Sequence, residues 1–108
     1  MNINEKIMKA LEPIKLPVYP DRYEGQKTSY YTFNYVDDRA SGFGDDIPTG
    51  VAVSMQIHLF LPRTKNYMEL KKNTRDALFR AGFTFPEITE LINGEVRHLV
   101  FECEIEEE

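Results

Sequence analysis

A single cysteine, Cys103, is all the chain contains, which excludes an internal disulfide framework and fits a reducing compartment. It alternates with Leu99, Phe101 and Ile105, a pattern that predicts a buried apolar role rather than a nucleophile. Histidine is nearly as scarce. His58 and His98 are the two present, with no second histidine three to five residues from either, so the closely spaced zinc-ligand patterns are missing. Long apolar runs are missing too. The longest uncharged stretch, 47–62, holds Ser54, Gln56 and His58 and is too short and polar to span a bilayer. The opening "MNINEKIMKALEPIK" interleaves charges, so it is expected not to be a signal peptide, and the chain is expected to be made in the cytoplasm and to stay soluble. No Walker loop, Gly-x-Ser-x-Gly elbow or dinucleotide fingerprint occurs; the glycines of "ASGFGDD" are not followed by a helix pattern.

What is present is ordinary in bulk and uneven in detail. With 108 residues, 42% hydrophobic and 29% charged, the sequence predicts one soluble domain, 1–108, with a modest core. A net charge of −5 argues against tracking nucleic acid or an anionic membrane. Six basic residues between Arg63 and Arg80 stand against Glu69 and Asp76, whereas the closing "ECEIEEE" carries five glutamates. Two readings stand: a solvated face with a solubilising acidic tail at 106–108, or complementarity between neighbouring copies.

Periodicity supplies the elements. Ile3, Ile7, Ala10 and Leu11 recur at helical spacing and Pro13 stops the run, predicting an amphipathic helix of about three turns. In "KLPVYPD", Pro17 and Pro20 confine the segment to a sheet edge or irregular stretch. "TSYYTFNYV" reads as a strand from Ser29 to Val36. "VAVSMQIHLFL" alternates, with Val51, Val53, Met55, Ile57, Leu59 and Leu61 on one side and His58 on the more polar other. A second helix is expected from Asn66, capped in a box with Glu69, to Gly82 at the left-handed C′ position, with Arg80 in its last turn. Tyr67, Leu70, Thr74, Ala77, Leu78 and Ala81 form its core stripe. Met68 and Phe79 fall far round the helix, among Lys72 and Arg75 and about 16 Å apart. Asn93-Gly94 predicts a hairpin with Glu90 opposite Arg97 and Ile88 opposite Leu99. The sum is α+β: a two-layer domain in which a mostly antiparallel sheet packs against two helices.

Between the second and third strands, "DDRASGFGDDIPTG", 37–50, has no apolar period. It predicts a long flexible loop, either functional or an ordinary hairpin tip. Its aspartates lack the EF-hand order and closing glutamate. The two histidines, which could in principle sit on neighbouring strands, read as partly exposed sheet residues, with a metal or acid/base role the minor reading. The aromatics of "YYTFNY" come with no basic RNA-binding motif, so direct nucleic-acid recognition is not expected. No enzyme chemistry, cofactor or metal is predicted. Interaction remains: aligned Met and Phe on a basic helix face are anchors of the kind interfaces bury.

The strings "YTFNYVDD…GDDIPTGVAVSMQIHLF", "MELKKNTRDALFRAGF" and "GEVRHLVFECEI" resemble small tail components of phages and prophages of Gram-positive bacteria. The similarity covers about Leu16 to Ile105 and is to the tail-terminator and head–tail joining group, including minor tail proteins. The resemblance implies a virion structural protein, tail-terminator-like in fold, that assembles with itself as a ring, a hexamer in terminators, on the tail tube. It implies the virion tail as location, after assembly in the host cytoplasm. Its partners would be the major tail tube or head-completion protein, with no membrane involved. On this reading Met68, Lys72, Arg75 and Phe79 form a subunit or partner interface, and Arg39, Phe43, Asp45 and Asp46 lie on a loop facing the tube. Two alternatives remain open: a monomeric adaptor or regulatory domain, and a histidine-dependent metal-binding enzyme.

Overall fold

The computed structural model describes residues 1–44 and 47–107. Helix α1, Ile3–Leu11, begins at a capping box that the sequence reading missed. The Asn2 side chain accepts the Glu5 N–H at 2.8 Å, and the Glu5 carboxylate accepts the Asn2 N–H at 3.4 Å. Ile3, Ile7 and Leu11 are buried, as the helical period requires. Pro13 lies in a 3₁₀ turn, Glu12–Ile14, after which Lys15 turns the chain at φ 63°.

The sheet has five strands in the order β1-β2-β3-β5-β4. Strand β1, Val18–Pro20, runs parallel to β2 at the edge, where Pro20 need donate nothing. Strands β2 (Tyr30–Gly44), β3 (Ile47–Pro62), β5 (Val96–Glu106) and β4 (Glu87–Asn93) are successively antiparallel. Helix α2, Met68–Arg80, connects β3 to β4 and packs beside α1. Tyr31, Phe33, Val53, Met55, Ile57, Leu59, Leu99, Phe101 and Cys103 share one core with Ile7, Leu11 and Leu78. Both helices therefore cover the same face of the sheet. The molecule is a two-layer α+β domain.

Four expectations are corrected. The loop expected at 37–50 is, in its described part, a paired ribbon: β2 runs on to Gly44, well past Val36, and β3 starts at Ile47. A register shift between Tyr35 and Asp37 sets Asp37 opposite Ser54, and Arg39, Ser41 and Phe43 then pair with Ala52, Gly50 and Pro48. Ladder hydrogen bonds hold such a ribbon without an apolar period, so composition was a poor guide. Gly42, at φ +68°, occupies a conformation that side chains disfavour. A 16-residue strand spans about 50 Å, so β3 accounts for the molecule's long axis of 54 Å.

The β4–β5 hairpin turns one residue later than expected. Asn93 pairs with Val96, so Gly94 and Glu95 are the central residues. Positive φ occurs at Gly94 but not at Glu95, the pattern of a turn with glycine at its first central position. Glu90 thus faces Leu99, and Ile88 faces Phe101. The slip moves each partner by two residues, so every side chain keeps its expected face. Helix α2 also starts later: Tyr67 occupies the cap position, Asn66 merely accepts the Met68 N–H at 3.3 Å, and the reciprocal Glu69 bond is not among the described contacts. The expected end is right, with Gly82 at φ +109°. Finally, Glu106 of the expected acidic tail belongs to β5 and accepts from Ser41 at 2.7 Å, while the Glu107 N–H bonds to Val51. Glu108 lies outside the described residues.

One buried polar pair ties the layers together. Thr74 spends its hydroxyl proton on Leu70 O at 2.7 Å, so Tyr31 donates to Thr74 Oγ1 at 2.6 Å. Burial pushes the Tyr31 hydroxyl up to about 12. Leu78 is fully buried. Leu78→Ala should lower unfolding free energy by about 2–5 kcal/mol, and Asn2→Ala by about 1 kcal/mol. Urea titrations check both, and equal losses would contradict this assignment of core and cap.

Candidate docking surface

At 100° per residue, Met68, Lys72, Arg75 and Phe79 fall within about 60° of one another, turned roughly 90–130° from the buried Leu78 and Thr74. The structure leaves the two apolar members in water: Met68 is 60% and Phe79 54% exposed. Lys72 is exposed and Arg75 half-buried. The four residues picked from periodicity do share one surface.

A fifth member went unseen. Phe85, 57% exposed, meets Phe79 edge to face with ring centroids 5.6 Å apart. Arg75 lies over the Phe85 ring at 5.3 Å and donates to Asp76 at 3.0 Å. The apolar patch therefore concentrates at the C-terminal end of α2, with Met68 near the other end. Phe85 lies beyond Gly82, where the helical period no longer applies, and "GFTFPE" offered only a bare aromatic as a signal.

The other predicted group is not brought together as a loop. Arg39 sits in β2 and is committed: it pairs with Glu104, approaches Asp37 at 3.7 Å and donates to Ser54 at 3.3 Å. Hydrogen bonding to Glu104 raises its pKa further. The Phe43 backbone pairs with Pro48 across the ribbon. Asp45 and Asp46 lie outside the described residues.

The histidines do meet. In the β3–β5 register Phe60 faces His98 and His58 faces Val100, making the histidines diagonal neighbours. His58 Nδ1 lies 2.7 Å from His98 Nε2, and His58 Nε2 lies 2.7 Å from Asn34 Oδ1. An amide oxygen only accepts, so His58 donates from Nε2 and His98 donates to His58 Nδ1. The pair sits on the sheet face away from the helices, at one end of a ladder of rings. Tyr19, Tyr23, Tyr30, Phe60 and His98 follow one another with centroid separations of 5.3, 4.6, 5.0 and 4.3 Å. Rings tilted by only 18–34° to the next spend their faces on each other. They leave mostly edges for a ligand, which does not suit base stacking.

What this arrangement can do chemically is limited. Among the described residues, no group of three or more His, Cys, Asp or Glu side chains is placed to hold a metal ion. Cys103 is buried and its thiol is pushed up to about 12 by that burial, so it offers no thiolate. Among the described residues, Glu90 is the most engaged carboxylate: Lys71 donates to it at 2.5 Å and Tyr67 at 2.6 Å, and Arg97 stands 3.7 Å away. The bonds from Lys71 and then Tyr67 hold its pKa below the usual carboxylate value. Arg97 also covers the Tyr67 ring at 4.1 Å. This cluster pins β4 to the start of α2, near Met68.

Burial, and for His58 the neighbouring imidazole as well, lowers both histidine pKa values. A base whose folded pKa lies below its unfolded value of about 6.5 binds more protons when unfolded. The resulting stability is complete above about pH 6.5 and is lost as pH falls through the folded value. Urea midpoints should therefore drop between about pH 7 and pH 5, above the range where Glu90 titrates. In a His58→Gln, His98→Gln double variant that slope should flatten; an unchanged slope would place its origin elsewhere.

No protein-family model matches the chain, and no curated protein matches it.

Proposed function

We propose that this chain is a non-enzymatic virion structural protein of a phage or prophage, acting in tail completion. It ends the tail tube or joins it to the head, and it works by assembling with itself as a ring. The observation that carries this reading is the water-exposed stripe of Met68, Lys72, Arg75 and Phe79, widened by Phe85. Large side chains of this kind, aligned on a well-packed helix with basic neighbours, contribute nothing to the chain's own core and suit burial in an interface.

Two further features support the reading. The sequence similarity to tail components noted above agrees with a two-layer α+β architecture. The β2–β3 ribbon extends past the strands that flank it, since β5 reaches only Ala52 and β1 only Phe33. A two-stranded ribbon is marginal in water by itself, which fits an element that gains partners on assembly. In this proposal the ribbon, rather than a loop, faces the tail tube or the head-completion protein, and the helix stripe holds neighbouring subunits. The protein would reside in the virion tail after assembling in the host cytoplasm.

The test is a Met68→Asp, Phe79→Asp double variant in a phage complementation assay. The variant should melt close to the parent, because both positions are exposed, yet fail to support tail joining. Normal joining by the folded variant would remove the proposed contact.

A further inference from the structure

We infer that the basic helix stripe docks into an acidic hollow on a second copy of this chain, so that the contact joins two adjacent patches, with Phe85 standing on the border between them. The inference rests on the self-assembly proposed above and names the surface that receives the helix. Asp37, Glu87, Glu102 and Glu104 line a hollow of about 530 Å³ whose wall includes Phe85 and Val36. Phe85 and Val36 are both more than half exposed. Apolar wall and carboxylates thus stand side by side, as Met68 and Phe79 stand beside Lys72 and Arg75 on the helix.

The charges are the telling part. Glu87 and Glu102 are direct partners in the β4–β5 register, and like charges directly opposite destabilise a strand pair. Neither has a basic partner among the described residues; Arg39 instead serves Glu104 and Asp37. Lys72 is likewise without a carboxylate partner among the described residues. Among the described residues, then, an acidic pair stands unrelieved in one place and a cation unpaired on an apolar stripe in another. A second copy satisfies both at once. Because the donor and acceptor patches differ, the contact is heterologous and repeats from copy to copy, closing as a ring where the rotation permits.

Sedimentation velocity across a concentration series, on the whole chain, tests this. The parent should self-associate. Glu102→Lys and Lys72→Glu should each weaken association by on the order of tenfold or more, because each sets like charges against one another at the contact. The double variant, with the charges exchanged, should return to within a few-fold of the parent. Glu102→Lys also turns the Glu87–Glu102 opposition into an attractive pair, so its thermal midpoint should hold or rise, and lost association cannot then be blamed on unfolding. A parent that stays monomeric throughout, single variants that associate like the parent, or a double variant as weak as the singles would each overturn the contact. Tail joining by a monomeric protein would overturn this contact and leave the virion role standing. Charge-dependent association of a protein that tails do not need would do the reverse.

Discussion

Everything in this molecule is hung on β3. It is the central strand, paired along most of its length by β2 on one side and β5 on the other. Its alternate residues Val53, Met55, Ile57, Leu59 and Leu61 form the floor on which both helices rest. A period of two leaves no freedom here: a slip of one residue would put these five side chains in water and His58 and Gln56 under the helices. The strand also runs on past its flanking partners, and that overrun creates the projecting ribbon. One element thus sets the core, the exposed sheet face and the elongated shape.

Covering a sheet on one side only has consequences for function. The uncovered face is made tolerable by aromatic rings that stack face against face from Tyr19 to His98 and by the Asn34–His58–His98 hydrogen-bond chain. These groups satisfy one another. Among the described residues, surface that remains unsatisfied includes the outer stripe of α2 and the place where Glu87 meets Glu102. Groups already bonded to neighbours have little to gain from a partner, whereas unpaired charges and exposed rings do. That contrast directs attention to the helix and the acidic hollow rather than to the histidines.

Much of the fold was legible because its signals are local. The stripe of α1, the alternation along β3, the stop at Gly82 and the outward placing of Met68 and Phe79 all follow from backbone periodicity and from one glycine's conformational freedom. The Asn2–Glu5 capping box is an equally local signal. The ribbon at 37–44 and 47–50 was misjudged for a different reason. Cross-strand hydrogen bonding needs a partner strand, not an apolar pattern, and glycines and aspartates say nothing about whether a partner is there.

Taken by itself, the sequence determined which residues face inward, since helical and strand periods assign each side chain to a face before any partner is known. Only the tertiary structure decided which side chains meet across elements: Glu87 with Glu102, His58 with His98, Phe79 with Phe85, and Tyr31 with Thr74. The reason is that register between strands and the angle of a helix on a sheet are set by packing of the whole core. A turn placed one residue later, as at Gly94, keeps every face and changes every partner.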